Sequence, residues 1–135
     1  MYQSQIQIRA RYGETDQMGY VYYGNYASYY EVARVESLRK LGLSYRELEK
    51  MGVMMPVLEN HSKFLGPAVY DEQLKIITTI RTKPGVRIKF EYEIYNENDK
   101  LIHQGETLLV FVNRENGKPC RPPEIFDNLL KPFFE

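Results

Sequence analysis

Residues 14–34 read ETDQMGYVYYGNYASYYEVAR, a stretch that sets one carboxylate just ahead of a glycine-punctuated turn into a long helix. Asp16 is that carboxylate, and the helix is expected to begin near Asn25. The first backbone N–H groups of a helix have no partner inside it and lie at the positive end of its dipole. They can hold the negative charge that develops on a carbonyl oxygen under attack. The order of residues therefore predicts an acid and free backbone donors at one site.

The same helix is expected to continue to residue 41, because apolar and small side chains recur at helical spacing along one stripe. Gly42 follows the last of them and can supply the left-handed residue that ends a helix. Ser44 and Glu47 then form a capping box, which predicts a short second helix over residues 45–51.

The rest of the chain is dominated by the period of two that is typical of strands. Residues 5–12 alternate between apolar and polar side chains and predict a half-exposed strand. Four further strands are predicted over residues 57–64, 73–81, 86–95 and 101–113, and a short helix over residues 122–131. The fold class is therefore α+β, with an antiparallel sheet that curls around the broad apolar stripe of the long helix.

Length and charge limit the classes of function. The 135 residues fit one domain over residues 1–135, with a single core. Lysine plus arginine total 18 and aspartate plus glutamate total 18, so no global field draws the protein to nucleic acid or to an anionic membrane. No run approaches the roughly 18 apolar residues of a membrane span, and residues 1–12 lack the apolar region of a signal peptide. A cytoplasmic protein is therefore expected.

The chain carries no motif that requires a metal or a cofactor. Cys120 stands alone among prolines, so no intrachain disulfide or cysteine metal site is expected, and a reducing compartment fits. His61 and His103 are isolated in sequence, which argues against zinc. No Gly-x-Ser-x-Gly elbow, Walker A loop or dinucleotide fingerprint occurs. Serine hydrolases, nucleotide hydrolases and dinucleotide enzymes are therefore disfavoured, and no cofactor is expected.

A spaced pattern of tyrosine, acid and glycine surrounds Asp16. It reads Tyr12-x-Glu14-Thr15-Asp16-x-x-Gly19-x-Val21-Tyr22-Tyr23-x-Asn25-Tyr26, followed by Glu31 and Ala33-Arg34. This pattern resembles the signature of the hotdog-fold acyl-CoA thioesterases, in particular the hydroxybenzoyl-CoA thioesterase type and its Tol-Pal-associated bacterial relatives, and the resemblance covers nearly the whole chain. It implies a hotdog fold, in which a five-stranded antiparallel sheet wraps around one long helix. It also implies homodimers and often homotetramers, with active sites at the dimer interface.

The resemblance implies roles for single residues. Asp16 would carry the catalysis, as nucleophile or as general base for water, and the backbone N–H of Tyr23, next to Gly24, would bind the thioester oxygen. Gly19 and Gly24 would permit the close turn. The substrate-binding positions implied within the signature are Gly19, Asn25 and Tyr26.

One position departs from part of the family. Many Tol-Pal-associated members have His where this chain has Tyr23, whereas hydroxybenzoyl-type members can have Tyr there. The backbone donor survives this difference, but any mechanism that needs an imidazole at this position is excluded.

Thioester hydrolysis suits a carboxylate, because thiolate is a good leaving group and needs little help from a general acid. Aspartate ordinarily has a pKa of about 3.9 and is charged at neutral pH, so it can attack or orient water. The alternative for Asp16, a cap of the turn, is the better interpretation of an isolated Asp near Gly, but the full signature outweighs it. Glu14 is a second candidate, because on an extended segment it would share the face of Asp16. Glu31 and Arg34 are expected to form a structural ion pair on the helix.

A basic cluster flanks the predicted Pro84-Gly85 turn. Lys83, Arg87 and Lys89 are candidates to bind the phosphates of coenzyme A by charge and hydrogen bonding. An ordinary solvated hairpin explains the same residues equally well.

The sequence therefore predicts an acyl-CoA thioesterase whose pocket a neighbouring protomer completes, with the acyl group left open between short, aromatic and hydroxylated forms. The alternative from another class is a non-catalytic module that binds acyl-CoA or acyl carrier protein without turnover. A hotdog hydratase or dehydratase ranks third, because it would require a His and Asp pair at one site. Neither His61 nor His103 lies in the signature segment.

Overall fold

The computed structural model describes residues 1–135 and contains seven strands and three α-helices. In chain order they are β1 (Tyr2–Arg9), α1 (Tyr26–Leu41), α2 (Tyr45–Lys50), β2 (Val53–Met54), β3 (Val57–Phe64), β4 (Gln73–Ile80), β5 (Arg87–Tyr95), β6 (Leu101–Val110), β7 (Val112–Asn113) and α3 (Glu124–Leu130). Short 3-10 turns lie at Tyr12–Glu14, Tyr23–Asn25 and Lys131–Phe133. None of the helices is long and apolar enough to span a membrane.

Five strands form one antiparallel sheet in the order β1-β4-β5-β6-β3, which confirms the predicted five-stranded sheet. The side chains of β5 alternate as predicted, since Ile88, Phe90, Tyr92 and Ile94 are buried while those between them are not. The long helix α1 packs across the buried face of the sheet, near β1 and β4. Burying each such large side chain contributes on the order of 1.5–3 kcal/mol, so the helix and the sheet stabilise each other.

The first strand ends earlier than predicted, at Arg9 rather than at residue 12. The chain turns at Arg11, because the carboxylate of Glu14 accepts the Arg11 backbone N–H at 2.8 Å. Tyr12–Glu14 is therefore a 3-10 turn and not the end of a strand. The Glu14 carbonyl at the end of this turn accepts from the Tyr22 N–H and the Asn25 side chain, which connects the turn to the start of α1.

The last predicted strand is two strands separated by a bend. β6 ends at Val110, and β7 pairs with β2 in a separate two-stranded sheet. Phe111 lies at the bend, where it is fully buried and its ring centroid is 5.3 Å from that of Phe126. Apolar residues continue on both sides of the bend, so the pattern of the sequence did not reveal it.

The helix termini agree with their sequence signals. α1 ends at Leu41, and Gly42 has a φ of +110° with its N–H donating back to the last turn. Before α2, the Ser44 Oγ accepts the Glu47 N–H at 3.1 Å and the Glu47 carboxylate accepts the Ser44 N–H at 3.2 Å. The left-handed stop and the capping box are thus both confirmed.

The predicted ion pair between Glu31 and Arg34 is wrong. Arg34 is only 6% exposed, and its Nη1 donates to the hydroxyls of Tyr92 at 3.1 Å and Thr107 at 3.3 Å. Residues four apart share one face of a helix, so Arg34 follows the buried Tyr30 into the core. Glu31 remains exposed on the outside of α1.

Candidate active site

A tight turn at Asp16 is closed by the backbone and by one carboxylate oxygen. The Asp16 N–H donates to the Tyr20 carbonyl at 2.8 Å, and the Gly19 N–H donates to the Asp16 carbonyl at 3.0 Å. Oδ1 of Asp16 accepts the backbone N–H groups of Met18 at 2.9 Å and Tyr20 at 3.2 Å. Gly19 has a φ of +79°, a conformation that side chains with a Cβ rarely adopt, so the turn requires glycine there.

The two oxygens of Asp16 differ in their surroundings. Oδ1 caps the turn, as the alternative interpretation of the sequence predicted. Oδ2 receives no hydrogen bond from the protein, and Asp16 is only partly buried. One residue therefore holds its own turn and still presents an unpaired carboxylate oxygen.

The start of the helix follows directly from this turn. The Tyr22 N–H donates to the Glu14 carbonyl at 2.8 Å, and the Asn25 N–H donates to the Tyr22 carbonyl at 2.9 Å. The amides of Tyr23 and Gly24 lie between them at the beginning of the 3-10 turn that leads into α1, where no earlier helical carbonyl can accept from them. A Cβ on Gly24 would lie 2.9 Å from the Tyr22 ring, which explains a glycine beside these donors.

The turn is fixed to the segment that precedes β4. The Val21 N–H donates to the Ala68 carbonyl at 2.8 Å, and Tyr20 and Val69 form an antiparallel bridge. Because both sides of the turn are bonded to neighbouring backbone, the Asp16 carboxylate and the first amides of the helix belong to one framework. The structure thus brings together Asp16, Gly19, Tyr23 and Gly24.

The other two predicted substrate-binding residues, Asn25 and Tyr26, are already engaged by the protein. The Asn25 Nδ2 donates to the Glu14 carbonyl at 2.8 Å. The Tyr26 ring is 3% exposed and stacks on His103 with centroids 4.1 Å apart and ring planes 5° apart. Burial raises the pKa of Tyr26 to about 12, so its hydroxyl is neutral at physiological pH.

Glu14 does not share a face with Asp16, because it closes a 3-10 turn rather than an extended segment. Its carboxylate accepts hydrogen bonds from the Arg11 N–H at 2.8 Å, from the Arg11 guanidinium at 2.9 Å and from the Tyr29 hydroxyl at 2.8 Å. Burial opposes the ionisation of Glu14, but these hydrogen bonds outweigh it and hold its pKa below the usual value. Glu14 is therefore an ionised and fully engaged acceptor.

The basic cluster lies at the opposite end of the sheet. β4 begins next to the segment that anchors the Asp16 turn, and Lys75 near its start pairs with Tyr95 at the end of β5. Arg87 is at the other end of β5, and a nine-residue strand spans roughly 26 Å. Lys89 forms a salt bridge with Glu106 at 3.2 Å. Lys83, Arg87 and Lys89 are therefore not brought to the Asp16 turn of their own chain.

An exposed aromatic surface surrounds the turn. Its large exposed side chains are Tyr12, Met18, Tyr20, Tyr22, Tyr23, Phe64, Leu65, Val69 and Tyr70. Ring pairs connect parts of this surface, since the centroids of Tyr12 and Tyr70 are 5.6 Å apart and those of Tyr22 and Tyr23 are 4.5 Å apart. Exposed apolar surface of this extent is typical of binding sites. The sequence reasoning missed residues 64–70, whose only signal was apolar side chains beside Gly66-Pro67.

His103 is buried below the start of α1 and is separate from the Asp16 carboxylate. It is 0% exposed, and its Nε2 is hydrogen-bonded to the Tyr30 hydroxyl, which also bonds the Ser62 hydroxyl at 2.5 Å. Burial lowers the pKa of His103 to about 4, so the imidazole is neutral at physiological pH. No signal in the sequence showed that this isolated histidine lies in the core.

A five-stranded antiparallel sheet packed against one long helix is the arrangement that the resemblance to the hotdog fold implied. The family description "Thioesterase-like superfamily" matches residues 10–130, and the chain belongs to that family. This finding confirms the resemblance to the hotdog-fold thioesterases and the predicted hotdog fold, whereas the likeness to the Tol-Pal-associated type stays a prediction.

Similar proteins from several bacteria support the assignment. YneP of Bacillus subtilis, provisionally named an acyl-CoA thioesterase, is 35% identical over 90% of this chain and 88% of its own length. The acyl-CoA thioesterase YbgC of Helicobacter pylori is 30% identical over 93% of this chain and 98% of its own length. The solved structure of a DHNA-CoA thioesterase from Staphylococcus aureus superposes with a TM-score of 0.90 at 36% identity, over 98% of this chain and 89% of that chain.

Proposed function

We propose that the protein hydrolyses acyl-CoA thioesters to a free acid and coenzyme A. The observation that carries this proposal is the free Oδ2 of Asp16, held in one framework with the unpaired amides of Tyr23 and Gly24. The similar proteins named as acyl-CoA thioesterases support the choice of coenzyme A as the thiol.

In the proposed reaction, the carbonyl oxygen of the thioester binds at the amides of Tyr23 and Gly24, where the positive end of α1 stabilises the negative charge of the tetrahedral intermediate. Asp16 either attacks the carbonyl carbon or removes a proton from the water that does so. The bond between carbon and sulfur then breaks, and thiolate leaves with the electron pair. If Asp16 removes the proton from water, the water oxygen becomes part of the acid product. If Asp16 attacks directly, loss of the thiolate leaves an anhydride between Asp16 and the acyl group, and water then cleaves it to give the free acid and restore the Asp16 carboxylate. In both routes the proton is released or taken up by the thiolate.

A second copy of the chain completes the proposed site. The exposed aromatic surface beside Asp16 has no cover within one chain, and the basic cluster is centred on the opposite end of β5, a strand that spans roughly 26 Å. We therefore propose that a coenzyme A phosphate bound at Lys83 or Arg87 belongs to an active site of another protomer. This proposal requires at least a homodimer.

The test is thiol release from short-chain, long-chain and aromatic acyl-CoA esters by the wild type and Asp16→Asn. We expect turnover in the wild type and a fall of roughly 10²- to 10⁴-fold in the variant, with binding of the ester retained. If Asp16→Asn hydrolyses the esters at the wild-type rate, the proposed role of Asp16 is contradicted. If the wild type binds acyl-CoA or acyl carrier protein tightly but does not hydrolyse any of these esters, the protein is a non-catalytic binding module and not an enzyme.

A further inference from the structure

One residue, Glu14, connects the Asp16 turn to the helix that follows it through both its backbone carbonyl and its side chain. The Glu14 carbonyl accepts the N–H of Tyr22 and the Nδ2 of Asn25, both at 2.8 Å. The carboxylate of the same residue accepts the Tyr29 hydroxyl at 2.8 Å, one turn further along α1. We refer to Glu14, Tyr22, Asn25 and Tyr29 as the Glu14 clasp. The clasp therefore joins Glu14, two residues before Asp16, to Tyr22 and Asn25, the residues that flank Tyr23 and Gly24 in the chain.

We propose that Glu14 and Tyr29 are positioning residues, which hold the Asp16 carboxylate at a fixed place relative to the Tyr23 and Gly24 amides. This inference rests on the proposed function, because it concerns the alignment of the same two groups. Catalysis by oriented groups depends steeply on placement, and an error of about 1 Å can cost a hundredfold in rate.

The oxygens of Glu14 are occupied, which separates its role from that of Asp16. Oε1 accepts from the Arg11 N–H and the Tyr29 hydroxyl, and Oε2 accepts from Nε and Nη2 of the Arg11 guanidinium. Neither oxygen is free to attack a carbonyl carbon or to take a proton from water. Glu14 therefore acts through Asp16 and does not touch the substrate.

The bond between Glu14 and Tyr29 is the protected part of the clasp. The Tyr29 residue is 2% exposed and the Glu14 side chain is 13% exposed, whereas the Arg11 side chain is 81% exposed. An exposed ion pair is screened and contributes little. Burial and the neighbouring carboxylate raise the pKa of Tyr29, so the donor stays protonated while the acceptor stays ionised through the neutral range. A charged acceptor makes this hydrogen bond stronger than a neutral one.

The chain offers a matched control at the far end of α1. The Tyr2 hydroxyl donates to the Ser37 carbonyl at 2.6 Å, and Tyr2 is 6% exposed. Tyr29→Phe and Tyr2→Phe each remove one buried hydroxyl that bonds between α1 and a neighbouring segment. Only the first of them lies in the clasp.

The experiment compares kcat and KM of Tyr29→Phe, Glu14→Gln and Tyr2→Phe for one good acyl-CoA substrate. We expect kcat to fall about tenfold in Tyr29→Phe and more in Glu14→Gln, with KM changed less than about twofold, because ground-state binding is kept. Tyr2→Phe is expected to keep the wild-type kcat. Values of kcat in both clasp variants equal to that of Tyr2→Phe would overturn the proposal.

A second comparison uses Asp16→Asn as the background. If Glu14 and Tyr29 act through Asp16, then adding Tyr29→Phe to Asp16→Asn leaves the residual rate unchanged within about twofold. A further tenfold loss in the double variant would overturn the positioning role while leaving the proposed function intact. Full activity of Asp16→Asn alone would instead contradict the proposed function.

Discussion

The two ends of the sheet contain very different turns. At one end the Asp16 turn is held by short backbone hydrogen bonds and a left-handed glycine, and aromatic side chains are exposed around it. At the other end the Pro84-Gly85 turn is flanked by basic residues, two of which pair with carboxylates: Arg81 with Glu91 at 2.8 Å and Lys89 with Glu106 at 3.2 Å. The comparison teaches that a concentration of charge in a sequence need not leave its charges free, whereas the turn around Asp16 leaves one carboxylate oxygen without a partner.

The largest effect on folding is expected where the sheet passes below α1. A Cβ on Gly105 would overlap the Tyr30 hydroxyl, and the Tyr30 ring is fixed by stacking on Tyr92 with centroids 4.3 Å apart. Gly105→Ala should lower the free energy of unfolding by about 3 kcal/mol, the upper end for overpacking. Gly85→Ala at the basic end meets no atom within 4 Å and should stay within about 0.5 kcal/mol of wild type. Urea unfolding measures the stability of both variants. Equal unfolding midpoints for Gly105→Ala and Gly85→Ala would contradict the close packing of Tyr30 on Gly105.

The free energy of unfolding is expected to depend on pH because of His103, which lies in the same buried region. Burial holds the pKa of His103 at about 4, below the usual 6.5, so the unfolded chain binds a proton that the native protein does not. Stability should therefore fall as the pH drops from about 6.5 to about 4, and this contribution should level off below that range.

The urea midpoint against pH measures this loss, with His103→Gln compared with His61→Gln. The His61 side chain is 63% exposed, so its replacement should leave the wild-type slope. His103→Gln should flatten the slope between pH 6.5 and 4. A slope in His103→Gln as steep as that of the wild type would contradict the burial of a neutral imidazole.

Gly19 allows the two turns to be compared by the same chemical change. Its φ of +79° makes alanine strained by about 1–2 kcal/mol, whereas Gly85 has no positive φ. Gly19→Ala should lower stability by this amount and also reduce kcat, because the strain falls on the turn that carries Asp16. Gly85→Ala should leave kcat unchanged. Thermal unfolding and thiol release, measured on the same preparations, distinguish the two variants.

The smallest effect is expected at the basic cluster. Lys83→Ala and Arg87→Ala should raise KM for acyl-CoA esters by about two- to fivefold, the loss of one exposed charge contact of up to roughly 1 kcal/mol. KM for a small thioester without the nucleotide should not change. An equal rise for both substrates would show that these residues do not bind the phosphates.

The sequence predicted the regular parts of the fold because their signals are local. Alternation on β5, the capping box at Ser44 and the stop at Gly42 each depend on neighbours within a few residues. The bend at Phe111 depends on Phe126, and the inward turn of Arg34 depends on Tyr92 and Thr107, all far away in the chain. Such contacts leave no local pattern, so spacing alone gave the wrong partner for Arg34.

The candidate site was predictable in part for the same reason. Asp16, Gly19 and Tyr23 lie within eight consecutive residues, and their order already placed an acid before a helix start. The clasp was not predictable, because the 3-10 turn at Tyr12–Glu14 rotates Glu14 towards Tyr29. The alternating pattern reached Tyr12, the first residue of this turn, and it suggested a strand up to that residue.

The division between the two oxygens of Asp16 limits which replacements the position can accept. Asparagine has the same shape and can still accept hydrogen bonds from the amides of Met18 and Tyr20. It therefore removes the charge but keeps the turn intact. Alanine removes both the charge and the oxygen that caps the turn. Glutamate keeps a carboxylate but places it one methylene further from the backbone, away from the amides of Met18 and Tyr20. Of these three replacements only asparagine is therefore expected to keep the turn, so it alone separates the proposed chemistry of Asp16 from its role in shaping the loop.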